Sequence, residues 1–145
     1  EGERTPNLPD ATGALHGLRL ETATAAHLAQ AAVEGVLSGL ADGLEALEAT
    51  GLQAQRVLLI GGGAKAETLR RSAPAVFGLP VEVLAAGEYV ADGAARQAAW
   101  ALTGALPDWQ LAATERYTAT PADLAAGQQL RERYAQARTR YLKRP

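Results

Sequence analysis

RVLLIGGGAKAETLRR, residues 56–71, runs four aliphatic side chains straight into three glycines and then into a helix-forming segment. The aliphatic run predicts a strand over about Arg56 to Ile60. A helix follows from about Glu67 to Phe77, with Leu69, Ala73 and Val76 on one face and Gly78 and Pro80 to stop it. A second strand is predicted over Val81 to Ala85. Strand, helix and strand within so short a span make a βαβ unit, which places the two strands parallel with a right-handed crossover. The fold class is therefore α/β, with helices flanking a short sheet.

The glycines carry the functional question. A strand that ends in glycines and leads into a helix brings bare N–H groups and a positive helix end to one point, and removes every Cβ that would hold a bulky anion away. One glycine is enough for a tight turn, so three point to close approach by a ligand, a nucleotide or phosphate. A purely structural strand-to-helix turn is the plain alternative. A Walker A loop is excluded, because Ala66 follows Lys65 where the motif needs Ser or Thr. The dinucleotide fingerprint matches formally through Gly61, Gly63 and Ala66, with Glu82 some way downstream, and stays open as a Rossmann-like alternative. Against it, Glu82 sits early in its strand, whereas a ribose-binding acid belongs at the carboxyl end.

Upstream, Ala29, Val33, Val36, Leu37, Leu40, Leu44 and Leu47 recur at helical spacing, with Glu34, Ser38, Asp42, Glu45 and Glu48 largely elsewhere. This predicts a long amphipathic helix capped by Thr22 or Thr24 and ended by Gly51 in the left-handed region. Within it Gly35, Gly39 and Gly43 fall four apart, a groove for close packing. The acidic residues around them exclude a membrane-pairing role. Residues 1–20 read as loop, with one strand at most near Leu15 and Leu18. Downstream, a third helix over about Asp92 to Thr103 would carry Ala95, Ala98, Ala99 and Leu102 inward. Beyond Gly104 and Pro107 the chain reads as irregular until Pro121, where an Arg-rich helix begins.

The 145 residues fit one domain, 48% hydrophobic, 21% charged and only 5% aromatic, so the core must be built from Leu, Val and Ala. A net charge of −2 gives no general attraction to nucleic acid or acidic membranes. The pattern supports neither a membrane-spanning run nor a secretory leader, and there is no cysteine, so a soluble, cytoplasmic protein is expected. The absence of methionine and the opening EGERTPNLPD suggest the interior of a longer polypeptide.

Other catalytic devices are sparse. Ser38 and Ser72 stand outside any nucleophile motif, and His16 and His27 have no triad or metal partner in sequence. No catalytic residue and no metal ligand is therefore assigned. Arg131, Arg133, Arg138, Arg140, Lys143 and Arg144 against Glu132 make the last helix strongly basic. Without an aromatic stacking platform this predicts a solvated helix whose cations interact favourably with its own C-terminal dipole, rather than a nucleic-acid surface. A non-enzymatic interaction module, using the glycine groove and this basic tail, is the reading from a different class.

GERTPNLPDATGALHGL, HLAQAAVEGVLSGLADGLEAL, VLLIGGGAKAETLRRSAPAVFGLPVEV and DGAARQAAWALTG, in this order and spacing, together resemble the later part of the C-terminal domain of the FGGY carbohydrate kinases. Within that family the similarity is to the branch acting on D-xylulose. The resemblance implies an actin-like, ribonuclease H-like ATPase domain, with residues 1–119 its later part and 120–145 its C-terminal helix. It implies ATP with Mg²⁺ and transfer of the γ-phosphate to a ketose or polyol. Gly61, Gly62, Gly63 and Ala64 would line the nucleotide cleft, and Glu67 would face the adenine. The catalytic base and sugar-binding residues would lie in an N-terminal domain, which becomes the expected partner. The unpaired edges of a short sheet also allow pairing with a second copy. One departure is that relatives often carry Ala-Arg-Gly where this chain has Ala11-Thr12-Gly13.

Overall fold

The computed structural model describes residues 7–110 and 113–142, with side chains to residue 140. The GERTP segment, Lys143 and Arg144 lie outside the described residues. Four α-helices, α1 (Ala25–Glu48), α2 (Glu67–Phe77), α3 (Tyr89–Thr103) and α4 (Pro121–Leu142), accompany three strands, β1 (Val57–Leu59), β2 (Val81–Leu84) and β3 (Ala113–Tyr117). The sheet order is β1-β2-β3. As the βαβ reading requires, β1 and β2 are parallel, with Val57 opposite Val81 and Leu59 opposite Val83. β3 returns antiparallel to β2, with Tyr117 opposite Val81 and Glu115 opposite Val83, and an irregularity between Val83 and Leu84.

α2 is the hub. It packs on α1, on α4 and on the sheet. Its Ala73 and Val76 meet Leu37 and Ala41 of α1, Leu59 of β1, Ala64, and Val81 and Val83 of β2 in one core. Pro74 is fully buried inside α2, where its missing N–H removes one intrahelical bond. Gly78, at φ +69°, ends the helix in the left-handed region and turns the chain back into β2. Gly104, at φ +73°, does the same for α3.

α1 begins at the expected cap. The Thr24 hydroxyl accepts from the His27 amide at 3.3 Å and lies 2.8 Å from His27 Nδ1, so this histidine serves the helix end. Gly51 takes φ +96° just beyond the helix, as predicted. The buried face, however, differs from the one predicted. Leu37 and Ala41 are buried together with Ser38, and Asp42 is largely enclosed, while Val36, Leu40 and Leu47 are more than half exposed. α4 lies along the Ser38–Asp42 side and supplies Asp42 with its cationic partners, while the buried Ser38 Oγ finds no hydrogen-bond partner among the described residues.

α4 also corrects the reading of the basic tail. Arg131 pairs with Asp42 at 3.3 Å and with Glu45 at 2.6 Å, and Arg138 also bonds Asp42. Two of the cations therefore hold α4 to α1 rather than standing in solvent. The glycine groove takes part in this contact, with the Tyr134 hydroxyl 3.5 Å from where a Gly39 Cβ would stand.

α3 is a second correction. None of Ala95, Ala98, Ala99 and Leu102 is buried; Leu102 is 88% and Val90 83% exposed. α3 packs extensively on no other element among the described residues, and Arg96 merely ties it to the next loop through the Pro107 carbonyl at 3.0 Å. No strand forms near Leu15 and Leu18, which are exposed. β3, in the stretch read as irregular, is a strand that propensity did not reveal.

Candidate functional site

β1 delivers the chain to Ile60, and the glycines follow at its carboxyl end. Gly61 has φ +81° and ψ −171°, a conformation open in practice only to glycine, and it redirects the backbone out of the sheet. Residues Gly62–Lys65 then form one turn of 3-10 helix, closed by Ala64 N–H to Gly61 O at 3.2 Å and Ala66 N–H to Gly63 O at 3.1 Å. α2 starts directly afterwards, and no side chain caps its first turn.

All three glycines are exposed, and a Cβ built on any of them meets nothing within 4 Å. Their missing side chains are thus not required by neighbours among the described residues, except for the φ of Gly61. The space they leave opens outward, beside the positive end of α2. That arrangement can accept a phosphate-sized anion through backbone N–H groups. A cavity of about 770 Å³ lies elsewhere, between residues 11–17, α1 and α4.

Of the other predicted site residues, Ala64 turns its methyl into the core and Lys65 is exposed. Glu67, in the first turn of α2, is exposed and pairs with Arg71 at 2.7 Å along its own helix. Glu82, the acid that the dinucleotide alternative needs, is largely buried mid-strand. It is held by Arg56 at 3.2 Å and Arg116 at 3.8 Å, far from a ribose position at a strand's carboxyl end.

Three residues near the turn carry no sequence signal. Arg70 of α2 donates through Nε to the Ala64 carbonyl, and through its terminal nitrogen to both Glu115 oxygens at 2.9 and 3.1 Å. The Tyr117 hydroxyl donates to the same carboxylate. These hydrogen bonds, first from Tyr117 and then the Arg70 charge, hold the Glu115 carboxyl below the usual carboxylate range; sharing its proton with Glu115 raises the Tyr117 phenol. Arg70 and Glu115 lie 45 positions apart in sequence, so no local pattern announces that pair. Among the described residues no three acidic or histidine side chains stand close enough to hold a metal ion.

The family model for the C-terminal domain of the FGGY family of carbohydrate kinases matches residues 1–102. The chain is 47% identical over 105 residues to the xylulose kinase of Streptomyces coelicolor, and 44% identical over 108 residues to that of Streptomyces rubiginosus. These matches cover 72% and 74% of this chain and 22% of each relative, so the chain spans about a fifth of the length of the curated relatives it matches. The crystal structure of xylulose kinase from Bifidobacterium adolescentis resembles it with a TM-score of 0.73 at 45% identity, covering 93% of this chain and 26% of that one. The β1–glycine turn–α2–β2 unit and the α1 helix before it both fall inside the matched residues, and the chain belongs to the FGGY family of carbohydrate kinases, in the region of their C-terminal domain.

Proposed function

We propose that the chain supplies one wall of the ATP site of a D-xylulose kinase, which transfers the γ-phosphate to give D-xylulose 5-phosphate. The observation that carries this reading is the open glycine turn at the carboxyl end of β1 against an uncapped helix start, in a chain of this family. Gly61, Gly62, Gly63 and Ala64 border the nucleotide, with Glu67 toward the base. Mg²⁺ accompanies the nucleotide's phosphates. The rest of the cleft, with the sugar site and the carboxylate that takes the hydroxyl proton, belongs to an N-terminal FGGY domain. Phosphoryl transfer depends on positioning both reactants, so this chain alone transfers no phosphate. Residues 1–119 and the helix after them act as one domain of that cytoplasmic enzyme. The bare apolar faces of α1 and α3 support a covering partner of this kind, or a second copy of the chain.

Calorimetric titration of the chain with MgADP, and with NAD⁺ as a contrast, tests the reading. Binding of ADP alone is expected, and Gly62→Val removes it without unfolding the protein, since no neighbour lies within 4 Å. Unchanged ADP binding by Gly62→Val refutes the assignment, and preference for NAD⁺ favours the dinucleotide alternative.

A further inference from the structure

We infer that Arg70, braced by Glu115 and Tyr117, is a positioning residue that sets the conformation of the glycine turn. Its consequence for nucleotide binding rests on the proposal above; the geometric inference does not. Three adjacent glycines have the largest backbone freedom to lose, and in this turn none of them is packed against anything. The turn is therefore fixed from its ends. On one side Leu59 is buried in β1; on the other the Ala64 methyl enters the core and the Ala64 carbonyl is held by Arg70 Nε. A single bond from a long side chain would hold little by itself, because an unrestrained arginine retains much rotamer freedom. Here the guanidinium is fixed by two hydrogen bonds to Glu115, whose carboxylate is oriented in turn by Tyr117.

This arrangement separates a clamp from a ligand. A free arginine beside a phosphate cradle would bind the anion itself, but Arg70 has its charge matched by Glu115 and its Nε committed to the backbone. The brace comes from β3, beyond residues 1–102 where the family model matches, so the turn and what steadies it belong to different parts of the chain. Among the described residues the ionisable groups around Glu115 and Tyr117 are few. α2 presents Arg70 to both and Glu67 to Tyr117, and β2 sets Val83 opposite Glu115, with Glu82 taken up by Arg56 and Arg116.

Hydrogen exchange at the Ala64 and Ala66 amides, which close the turn, reads the clamp directly in the unliganded chain. In Arg70→Gln and in Glu115→Gln both amides are expected to exchange about tenfold faster or more, on the scale of a lost charged hydrogen bond, while β2 and α1 amides keep their rates. Arg70→Lys, which retains the charge but not the fork, is expected to behave like Arg70→Gln. The double variant should add nothing to either single one. In the wild type the turn's protection, corrected for intrinsic rates, falls on acidification as Glu115 takes up its proton; in Glu115→Gln that step is absent. Turn amides unchanged in Arg70→Gln overturn the inference. MgADP titration of Glu115→Gln adds a functional arm: weaker binding supports a clamp, and tighter binding shows that the released Arg70 is a ligand. A wild-type chain that binds no ADP counts against the proposed function alone, since exchange still decides the clamp.

Discussion

Gly127 lies where the backbone of α4 packs directly against that of α2, and replacing it by alanine should reverse the usual effect of that substitution. In an exposed helix interior, Gly→Ala stabilises by about 1 kcal/mol, because alanine loses less backbone entropy on folding. At Gly127 the added methyl would stand 1.9 Å from the Ala75 carbonyl oxygen and 2.4 Å from its carbon. Both are backbone atoms of α2, so no rotamer change can relieve the overlap. Restoring an ordinary separation needs a local shift of about 1.5 Å between the helices, which also disturbs the Leu130 contact with the core. Overpacking costs ~1–3 kcal/mol, and a rigid backbone collision belongs at the upper end. Set against the propensity gain, a net loss of about 2 kcal/mol follows, or a drop in Tm of roughly 4–8 °C for a chain of this size. Gly43→Ala in α1 is the control, because nothing lies within 4 Å of its Cβ position, and it should raise stability by about 1 kcal/mol. Thermal and urea unfolding followed by far-ultraviolet circular dichroism measures both. A Gly127→Ala protein as stable as the wild type would show that α2 and α4 do not cross at this distance, and the placement of α4 would fall with it.

Asp42→Ala removes the carboxylate that Arg131 and Arg138 share; with the Asp42 side chain only 12% exposed, the loss should be about 2–3 kcal/mol, below the figure for fully buried pairs, and an unchanged urea midpoint would contradict the α1–α4 pairing. The pH profile has two limbs. Thr120 hydrogen bonds lower Asp123, which caps α4 by accepting from the Thr120 amide at 3.0 Å, and Glu115 is lowered by Tyr117 and Arg70. A carboxyl with a lowered folded pKa stabilises the fold above its unfolded value and loses that contribution as pH falls through the folded one. Acid unfolding should therefore shift to higher pH and become shallower in Asp123→Asn. Tyr117 is raised, so its contribution is complete below the ordinary tyrosine value and disappears as pH rises through the folded one; Tyr117→Phe should abolish that alkaline step in a melt series.

How much of this was legible from the sequence differs from element to element for physical reasons. The run from Arg56 to Leu84 could be read because each of its boundaries has a local cause. The aliphatic residues end at glycine, Gly78 accepts a conformation that ends a helix, and Pro80 precedes the next strand. The face of α1 could not be read in the same way. At 3.6 residues per turn Val33, Val36, Leu37, Leu40, Ala41, Leu44 and Leu47 lie on one arc of about 140°, and burial is rotated to its Leu37–Ala41 edge, a rotation that periodicity alone does not carry because it depends on what packs there. Asp42 lies inward where Arg131 and Arg138 arrive from α4, whereas the buried Ser38 Oγ has no hydrogen-bond partner among the described residues.

The site divides along the same line. The glycines stand out as candidates in the sequence, and their exposed position at the end of β1 follows from the βαβ geometry. The residues that steady them do not. β3 reads Ala-Thr-Glu-Arg-Tyr, polar on both faces and without the apolar alternation that marks a half-buried strand. What makes it a strand is pairing across space: Arg116 stands opposite Glu82, and Glu115 and Tyr117 face α2, where Arg70 waits. A polar edge strand of this kind gains its order from the same ion pairs that it supplies to the turn. Its formation and the conformation of the glycines are therefore coupled through Arg70, and neither can be deduced from its own segment alone.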